Sequence, residues 1–459
     1  MQLCILLLGN FLEKYNNVRN DLWVLIMKDS RYNFIFLDNN NEHASNIVYN
    51  SRSGAMVLLD AETMSAFDDF RESGLVFADK NIFDELVRCG FIVDDNLNEI
   101  GEIQFSLLRS RFATSSLGLV IAPTMDCNFR CTYCFEQGQL HNVHMDDTIA
   151  TKLIDFVAKK ANMLERLNVF WYGGEPLLAI ERVESLSKEL INICRNNKIR
   201  YSASIVTNGY YYSPEIAERL KACSVGVVQI TLDGSKEIHD QRRFLEDGSG
   251  TFDIIINNLK LTKGILPVTL RVNVDTDNYI QGDEVASILK NEGVYGDVLP
   301  YLAQVNSAND TLKQSRCLSN QQFSKINLKY MIDGKTPIMT FYPKPKGNFC
   351  ISDFTNGFVI DPYGDMYKCF ADIGREDKKV CSLLDEHIDF SPIMHDYVLH
   401  DPTLVDRCKS CKLLPICLGG CPHLRMNNID NCSQFKYSIN EYLLECAKFL
   451  QNDKHISVQ

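Results

Sequence analysis

Between about residues 117 and 305 the chain alternates short apolar or β-branched runs with longer amphipathic stretches. Leu117–Ala122, Asn168–Tyr172, Tyr201–Val206, Gly226–Leu232, Val268–Val274 and Val298–Ala303 have the length and composition of strands. Of the segments between them, Asp147–Leu164 places Ile149, Leu153, Phe156, Val157, Ala161 and Leu164 on one helical face. Repeated βα units predict a parallel sheet, and six of them suit an open or partial barrel. In such sheets chemistry collects where the strands' C-terminal ends meet their loops.

The flanking segments have a different texture. Up to about residue 105 the pattern predicts a small α+β unit. Asn46–Asn50 and Ala55–Leu59 flank Ser51-Arg52-Ser53-Gly54 as a hairpin, and Asp60 suits the N-cap of a helix carrying Met64, Phe67 and Phe70. A short helix over Asn81–Cys89 stops at Gly90, and Phe91-Ile92-Val93 follows as a strand. This unit carries no catalytic cluster, so it reads as a binding module. Residues 306 to about 346 read as a linker or bridging helix. From about 347 the chain is turn-rich and cysteine-rich, too loose for a conventional core, and metal staples are its natural stabiliser. An apparent final helix covers Tyr437–Leu450.

With 459 residues, 45% hydrophobic and 23% charged, the chain can bury a sizeable core and is not a disordered or fibrous type. A formal net charge of −12 without a long basic run argues against a nucleic-acid partner. The apolar stretch Leu3–Leu8 is too short to span a bilayer, and no basic segment precedes it as in a signal peptide. A cytoplasmic protein without a membrane partner is the expectation. Seventeen cysteines in such a chain are metal ligands before they are disulfides.

The first group follows the first barrel strand, in Ala122-Pro123-Thr124-Met125-Asp126-Cys127-Asn128-Phe129-Arg130-Cys131-Thr132-Tyr133-Cys134-Phe135. Three thiolates spaced by three and then two residues wrap one face of an iron–sulfur cube and leave one iron open to a small molecule. A zinc site usually has a fourth protein ligand, and no His or Cys lies within the next six residues. Tyr172-Gly173-Gly174-Glu175-Pro176 ends the second strand; its glycines expose backbone groups, and Glu175 suits either holding the turn or binding an ammonium. Thr207-Asn208-Gly209 and Thr231-Leu232-Asp233-Gly234 end the third and fourth strands.

These residues resemble the signature of the radical S-adenosylmethionine superfamily. The resemblance implies that Cys127, Cys131 and Cys134 hold a [4Fe–4S] cluster whose open iron chelates S-adenosylmethionine, which the reduced cluster cleaves to a 5′-deoxyadenosyl radical. It implies that Gly173 and Gly174 meet the methionyl amine, that Thr231 and Arg243 bind the carboxylate, and that Tyr133 packs near the adenine. Arg242 is the alternative to Arg243. Asn208 and Asn273 are strand-end amides suited to ribose or the methionyl group, or to capping.

The C-terminal cysteines resemble the SPASM extension of peptide-modifying radical enzymes, which binds two auxiliary iron–sulfur clusters. Family topology assigns Cys408, Cys411, Cys417 and Cys432 to one, and Cys350, Cys369 and Cys421 to the other, for three [4Fe–4S] clusters in all. Cys317 or Cys381 is a candidate fourth ligand; otherwise one iron is open to a substrate thiolate. A pair of structural zincs is the competing assignment. Cys4, Cys89, Cys194, Cys223 and Cys446 read as packing residues.

The fold class expected is therefore α/β: a winged-helix-like leader-binding domain over 1–105, a partial (β/α)6 TIM-like barrel over 106–305, a linker over 306–346 and a SPASM domain over 347–459. The resemblance implies a maturase that forms a thioether between a cysteine sulfur and another residue's carbon in a ribosomally made precursor peptide. The partners it implies are that peptide's leader, added to a sheet edge, and a reduced flavodoxin- or ferredoxin-type electron donor. Carbon–carbon cross-linking and sulfatase-type formylglycine maturation are alternatives, as is a zinc-stapled binding scaffold. Sulfatase-maturing relatives carry an aspartate base directly after the second auxiliary cysteine, where this chain has Phe370.

Overall fold

The computed structural model describes residues 5–8, 27–38, 45–74, 77, 79–307, 313–385 and 391–452; Cys4 lies outside them. Six parallel strands form its centre: β7 (Ser116–Ile121), β8 (Arg166–Trp171), β9 (Arg200–Thr207), β10 (Val225–Thr231), β11 (Val268–Val274) and β12 (Val298–Gln304). They lie side by side in chain order, each joined to the next through helix-bearing segments. All six fall within two residues of the runs read from the sequence. The helix Asp147–Lys160 buries Ile149, Leu153, Phe156 and Val157 against the sheet, with Asp146 accepting from the Ile149 amide as N-cap. It stops four residues short of Leu164 because Ala161–Met163 tightens into a 3₁₀ turn.

The C-terminal segment has more of a core than its turns suggest. Strand β13 (Gly357–Ile360) adds parallel to the free edge of β7, and β14 (Asp365–Tyr367) and β15 (Cys381–Ser382) extend the same sheet to nine strands. Phe358, Ile360, Met366, Val380 and Leu383 thereby enter the apolar core of the six-stranded sheet. The expectation of a segment too loose for a conventional core is corrected accordingly. The reason is the apolar run Phe358-Val359-Ile360, which needs a partner strand and finds one in β7.

The N-terminal elements form a second sheet in which β1 (Ile5–Leu8), β5 (Met56–Leu59), β4 (Ser45–Asn50) and β3 (Asn33–Asp38) are neighbours in that order, beside a pair made by β2 (Met27–Asp29) and β6 (Ile92–Asp94). The apolar run near the start of the chain thus supplies an edge strand, parallel to β5. Asp60 caps the helix Ala61–Ser73 as expected, its carboxylate 2.8 Å from the Thr63 amide. Gly90, at φ +81°, turns the chain after the helix Lys80–Arg88.

Strands β4 and β5 are apolar at every central position because both faces are covered. Val48, Val57 and Leu59 meet Phe67, Phe70 and Phe91, whereas Ile47, Tyr49, Met56 and Leu58 meet Leu413, Ile416, Tyr442 and Leu443 of the C-terminal segment. Polar ties reinforce that junction: Tyr49 Oη donates to the Pro343 carbonyl at 2.6 Å, and Lys412 Nζ to the Asn33 carbonyl at 2.7 Å. The N-terminal unit therefore sits on the cysteine-rich segment. Between the two, the helix Asn320–Ile332 opens with a Ser319–Gln322 capping box, and the last helix, Ile439–Asn452, buries Cys446. Among the described residues, no helix is long and apolar enough to cross a membrane.

Candidate active site: two thiol sets at the strand ends

The loop after β7 is stitched to two neighbouring strand ends. Gly174 and Glu175 donate their amides to the carbonyls of Thr124 (3.3 Å) and Asp126 (2.8 Å). On the other flank, Arg130 and Thr132 donate theirs to Phe244 (2.8 Å) and Arg242 (3.0 Å). The two glycines make the first contact possible: a Cβ on Gly174 would stand 2.2 Å from the Asp126 carbonyl oxygen, and Gly173, at φ +111°, would put one 2.5 Å from that of Thr124. The loop is therefore held on both sides of its three cysteines.

Cys127, Cys131 and Cys134 gather closely enough for the charge of the other two to act on Cys127. Burial holds all three as thiols in the free chain and pushes Cys134 up to about 12. Each faces a different charged group: Glu175 acts on Cys127, Arg243 and Asp233 on Cys131, and Glu136 on Cys134.

Of the two roles open to Glu175, holding the turn is the one its hydrogen bonds fill. One oxygen accepts from the Leu177 amide (3.0 Å) and the Thr207 hydroxyl (2.7 Å), the other from the Asn208 amide (2.7 Å). Burial still raises its carboxyl to about 7. Asn208 reaches back to the thiol loop, donating to Asn128 Oδ1 at 2.8 Å.

Tyr133 Oη is a hub. It donates to Asp233 and accepts from Arg243 Nη1 at 2.8 Å and Asn273 Nδ2 at 3.1 Å. The neighbouring arginines divide their tasks. Arg242 pairs with Asp233 (3.3 Å) and Asp275 (2.9 Å), while Arg243, only 8% exposed, faces the thiols. Arg243 Nε and Asn128 Nδ2 are buried without a hydrogen-bond partner among the described residues. Thr231 is buried at the end of β10. Donors waiting at a ring of thiols suit a ligand that carries acceptors, such as a carboxylate.

Seven of the remaining cysteines lie in two neighbourhoods. Cys369 feels the charges of Cys421 and Cys350, and Cys417 those of Cys432, Cys408 and Cys411. Gly420 brings the latter set's segments together; a Cβ there would lie 1.6 Å from the Asn431 carbonyl oxygen, next to Cys432. Neither candidate fourth ligand lies in a comparable setting. Cys381 is buried in the main core with its sulfur 3.7 Å from that of Met366, and Cys317 sits against the Lys313 carbonyl near Asp275. Cys89, Cys194 and Cys223 are buried away from these groups.

The first two groups meet through aromatic rings. Phe135 follows Cys134 and Phe370 follows Cys369; their centroids are 5.9 Å apart, and both pack on Tyr172, at 6.3 and 5.4 Å. Sequence reasoning had attached no role to several buried groups here. Glu136 is raised to about 8 by burial, and Lys368, lowered to about 7 by burial, donates to the Gly357 carbonyl at 2.6 Å. Cys369, Asp372 and His423 bring one potential ligand atom each within 4.8 Å of one another, with Asp372 Oδ1 3.2 Å from His423 Nδ1. Their proximity to cysteines was the available signal; their burial was not visible in the sequence.

Residues 121–289 match the model of the Radical SAM superfamily, so this enzyme carries a Radical SAM domain over that stretch. Enzymes of this family use S-adenosylmethionine with a [4Fe–4S] cluster, and the thiol loop fits both: three sulfurs without a fourth beside them among the described residues, and two buried donors, Asn128 Nδ2 and Arg243 Nε, left without a partner there. Among curated proteins, the chain is 27% identical over 366 residues to the cysteine-type anaerobic sulfatase-maturating enzyme of Clostridium novyi, covering 70% of this chain and 94% of that one. It is also 27% identical to the mycofactocin maturase MftC of Mycolicibacterium smegmatis, over 65% of this chain and 76% of the relative. Among solved structures, anSMEcpe with bound AdoMet superposes with a TM-score of 0.56 at 19% identity, covering 72% of this chain and 99% of that one. Streptococcus suis SuiB bound to its precursor peptide SuiA superposes at 0.50 and 17% identity, covering 89% of this chain and 99% of the other.

Proposed function

We propose that this enzyme is a radical SAM/SPASM peptide maturase that joins a cysteine sulfur to a carbon of another residue in a ribosomally made precursor peptide. The carrying observation is the contact between residues adjoining two thiol sets, Phe135 beside Cys134 and Phe370 beside Cys369. In this reading Cys127, Cys131 and Cys134 hold the [4Fe–4S] cluster that engages S-adenosylmethionine. Cys350, Cys369 and Cys421 hold an auxiliary cluster with one corner free for a substrate sulfur, and Cys408, Cys411, Cys417 and Cys432 hold a closed one. When bound, the first cluster and S-adenosylmethionine supply a 5′-deoxyadenosyl radical.

The chain's own residues bind and orient. Arg243, braced by Tyr133, and Asn128 bind the cofactor's methionyl end; Thr231, Asn208 and Asn273 line the same strand ends, and the turn held by Glu175 presents Gly173 and Gly174. Phe135, Tyr172 and Phe370 exclude water from the space between the thiol sets. The SPASM domain spans 347–459, the barrel 106–305, and 306–346 bridges them. The 1–105 unit is the winged-helix-like leader-binding domain, and β3, an edge strand among the described residues, receives the leader as an added strand. A peptide substrate is supported by relatives named as maturases and by the fold shared with a peptide-bound neighbour that spans 89% of this chain. We place the enzyme in the cytoplasm, supplied by a reduced flavodoxin- or ferredoxin-type donor.

Sulfatase-type maturation is a second reading, favoured by the match to 94% of the Clostridium novyi enzyme. Phe370 stands where that reading expects an aspartate base. The test is anaerobic incubation of reconstituted enzyme with cysteine-containing precursor peptides, followed by fragmentation mass spectrometry. Loss of two hydrogens with the sulfur retained and bridging supports the thioether. Loss of the sulfur with appearance of a hydrazine-reactive aldehyde supports formylglycine formation and overturns it.

A further inference from the structure

The helix Glu99–Arg111 carries apolar residues on two opposite faces. Ile103 and Leu107 are buried on one, packing with Tyr32, Leu414 and Leu418 against Cys408. Phe105, Leu108 and Phe112 recur at helical spacing on the other and are exposed, Phe105 to 67%. The segment beside this helix adds two more exposed residues, Leu399 and Leu404, the latter to 73%. Gln104 Nε2 donates to Asp401 Oδ2 at 2.6 Å and Arg111 Nη1 to the Val398 carbonyl at 3.0 Å, which holds the two elements side by side. Single exposed apolar residues are ordinary, but five on two joined elements make a patch of the kind a partner protein covers.

Charge and position say which partner. Arg31, Arg109, Arg407 and Lys409 are exposed around the patch. Arg109 lies 6.0 Å from the centre of the Phe105 ring, and Arg31 Nη2 donates to the Lys409 carbonyl at 2.9 Å. Of the nearby acids, Glu102 pairs with Arg52 at 2.8 Å and Asp401 accepts from Gln104 and Thr403; with Asp406 they leave the cations in excess. In a chain of net charge −12 this is a local exception, and it suits a partner with an acidic face. Beneath the patch lies Cys408, packed against the buried face of the same helix. Arg407, its neighbour in the chain, reaches Asn431 Oδ1 at 3.0 Å, next to Cys432 of the same thiol set. A protein seated on the patch is therefore brought over the set read above as the closed auxiliary cluster.

We propose that Phe105, Leu108, Phe112, Leu399 and Leu404 form the docking surface of an acidic one-electron carrier protein of the flavodoxin or ferredoxin class. This rests on the reading of the Cys408 set as an iron–sulfur cluster and adds to it the place where an electron leaves. In each cross-link the carbon radical and the cysteine thiol give a thioether, one proton and one electron. That electron passes through the auxiliary cluster to the oxidised carrier, which it reduces. The test titrates an acidic flavodoxin and, separately, an acidic [4Fe–4S] ferredoxin, both oxidised, into anaerobic holoenzyme without peptide, by isothermal titration calorimetry. The wild type binds at least one of them, with an affinity that falls as salt is raised. Phe105→Ser with Leu404→Ser weakens that binding about tenfold, and Arg109→Glu weakens it at low salt. Both variants keep the wild-type melting temperature, and with dithionite as reductant both still cleave S-adenosylmethionine.

Binding of neither carrier to the wild type overturns the proposal, and so does an unchanged affinity in the serine variant. A wild-type dimer that the serine variant turns into a monomer, read by sedimentation, overturns it in favour of an interface between copies of this chain. Should the serine variant be destabilised, Arg109→Glu decides alone, since it removes no apolar side chain: an unchanged affinity at low salt overturns the proposal. Because carrier binding is read without peptide, the two readings fail separately. A carrier bound at the patch stands whether or not a thioether forms, and a thioether formed by a chain that binds no carrier sinks this inference alone.

Discussion

The thiols of Cys127, Cys131 and Cys134 and those of Cys350, Cys369 and Cys421 form two sets of three, and their surroundings differ in sign. Around the first set stand two acids and a hydrogen-bonded network, Glu175, Glu136 and the Tyr133–Asp233–Arg243 hub, with Asn128 Nδ2 and Arg243 Nε left unpaired among the described residues. Around the second stand three cations, Lys368 and Arg111 near Cys350 and Arg425 near Cys421, all facing Asp353, with Asp372 beside Cys369 as a further carboxylate. The first environment is arranged to grip a small zwitterion. The second, rich in buried cations, favours a bound group that gains negative charge, as a cluster does on reduction. On the function proposed above, similar thiol counts do different work: binding and cleaving a cofactor in one place, taking up electrons and a sulfur in the other.

The largest effect that breaks this comparison comes from removing the first set. Alanine at Cys127, Cys131 and Cys134 together is expected to abolish 5′-deoxyadenosine formation while iron falls from about twelve to about eight per chain, the remainder being two cubanes. Normal 5′-deoxyadenosine yield from that variant overturns the assignment of the first set. Stoichiometric zinc without sulfide in anaerobically purified wild type would instead support a stapled scaffold. Next in size, Cys369→Ala is expected to leave 5′-deoxyadenosine detectable by chromatography while cross-linked peptide disappears. Loss of both together would mean that the sets do not divide the work.

How far these differences could be read in advance depends on the range of the interactions involved. The six central strands were legible because β-branched runs and intervening helical faces are local signals, and the Asp60 cap was legible for the same reason. The insertion of Gly357–Ile360 beside Ser116–Ile121 was not, because pairing across some 240 residues leaves no mark in either segment. The unbroken apolar character of Ile47-Val48-Tyr49 hinted at two covered faces without saying what covers them. At the site, cysteine spacing announced the thiol groups, whereas Glu136, Asp233 and Lys368 look like ordinary charged residues until burial is known. The separate settings of Cys317 and Cys381 were likewise beyond spacing arguments.

Two smaller effects sharpen the contrast of sign. Tyr133→Phe removes the hydroxyl that braces Arg243, Asp233 and Asn273, and S-adenosylmethionine affinity is expected to fall about tenfold, as for losing a hydrogen bond to a charged group. Lys368→Met keeps the packing over the Phe358 ring, 5.0 Å away, and removes a buried cation near Cys350. The midpoint potential of an auxiliary cluster, followed by electron paramagnetic resonance, is expected to move negative by about 60 mV, a tenfold change in its reduction equilibrium. An unchanged potential would remove the electron-accepting role from the cations around the second set.

The smallest effect tests how the second set is held against the first. Asp361 lies in the turn joining β13 to β14, where it accepts from the amides of Tyr363 (2.9 Å) and Asp365 (3.0 Å) and from Tyr367 Oη (3.1 Å). Burial, helped by the charge of Asp365, raises its carboxyl from 3.8 to about 6. The folded chain therefore holds the Asp361 proton more tightly than the unfolded one. The stability this gives is full below pH 3.8 and is lost as pH rises through about 6, leaving a charged, buried carboxylate at neutral pH at a cost of about 3 kcal/mol. Asp361→Asn keeps an oxygen for the two amides and does not titrate. Its melting temperature is expected to exceed that of wild type at pH 8, with the gap closing as the pH is lowered to 5. A gap independent of pH would show that the turn carries its charge without strain, and that the junction between β7 and the second thiol set is held by packing alone.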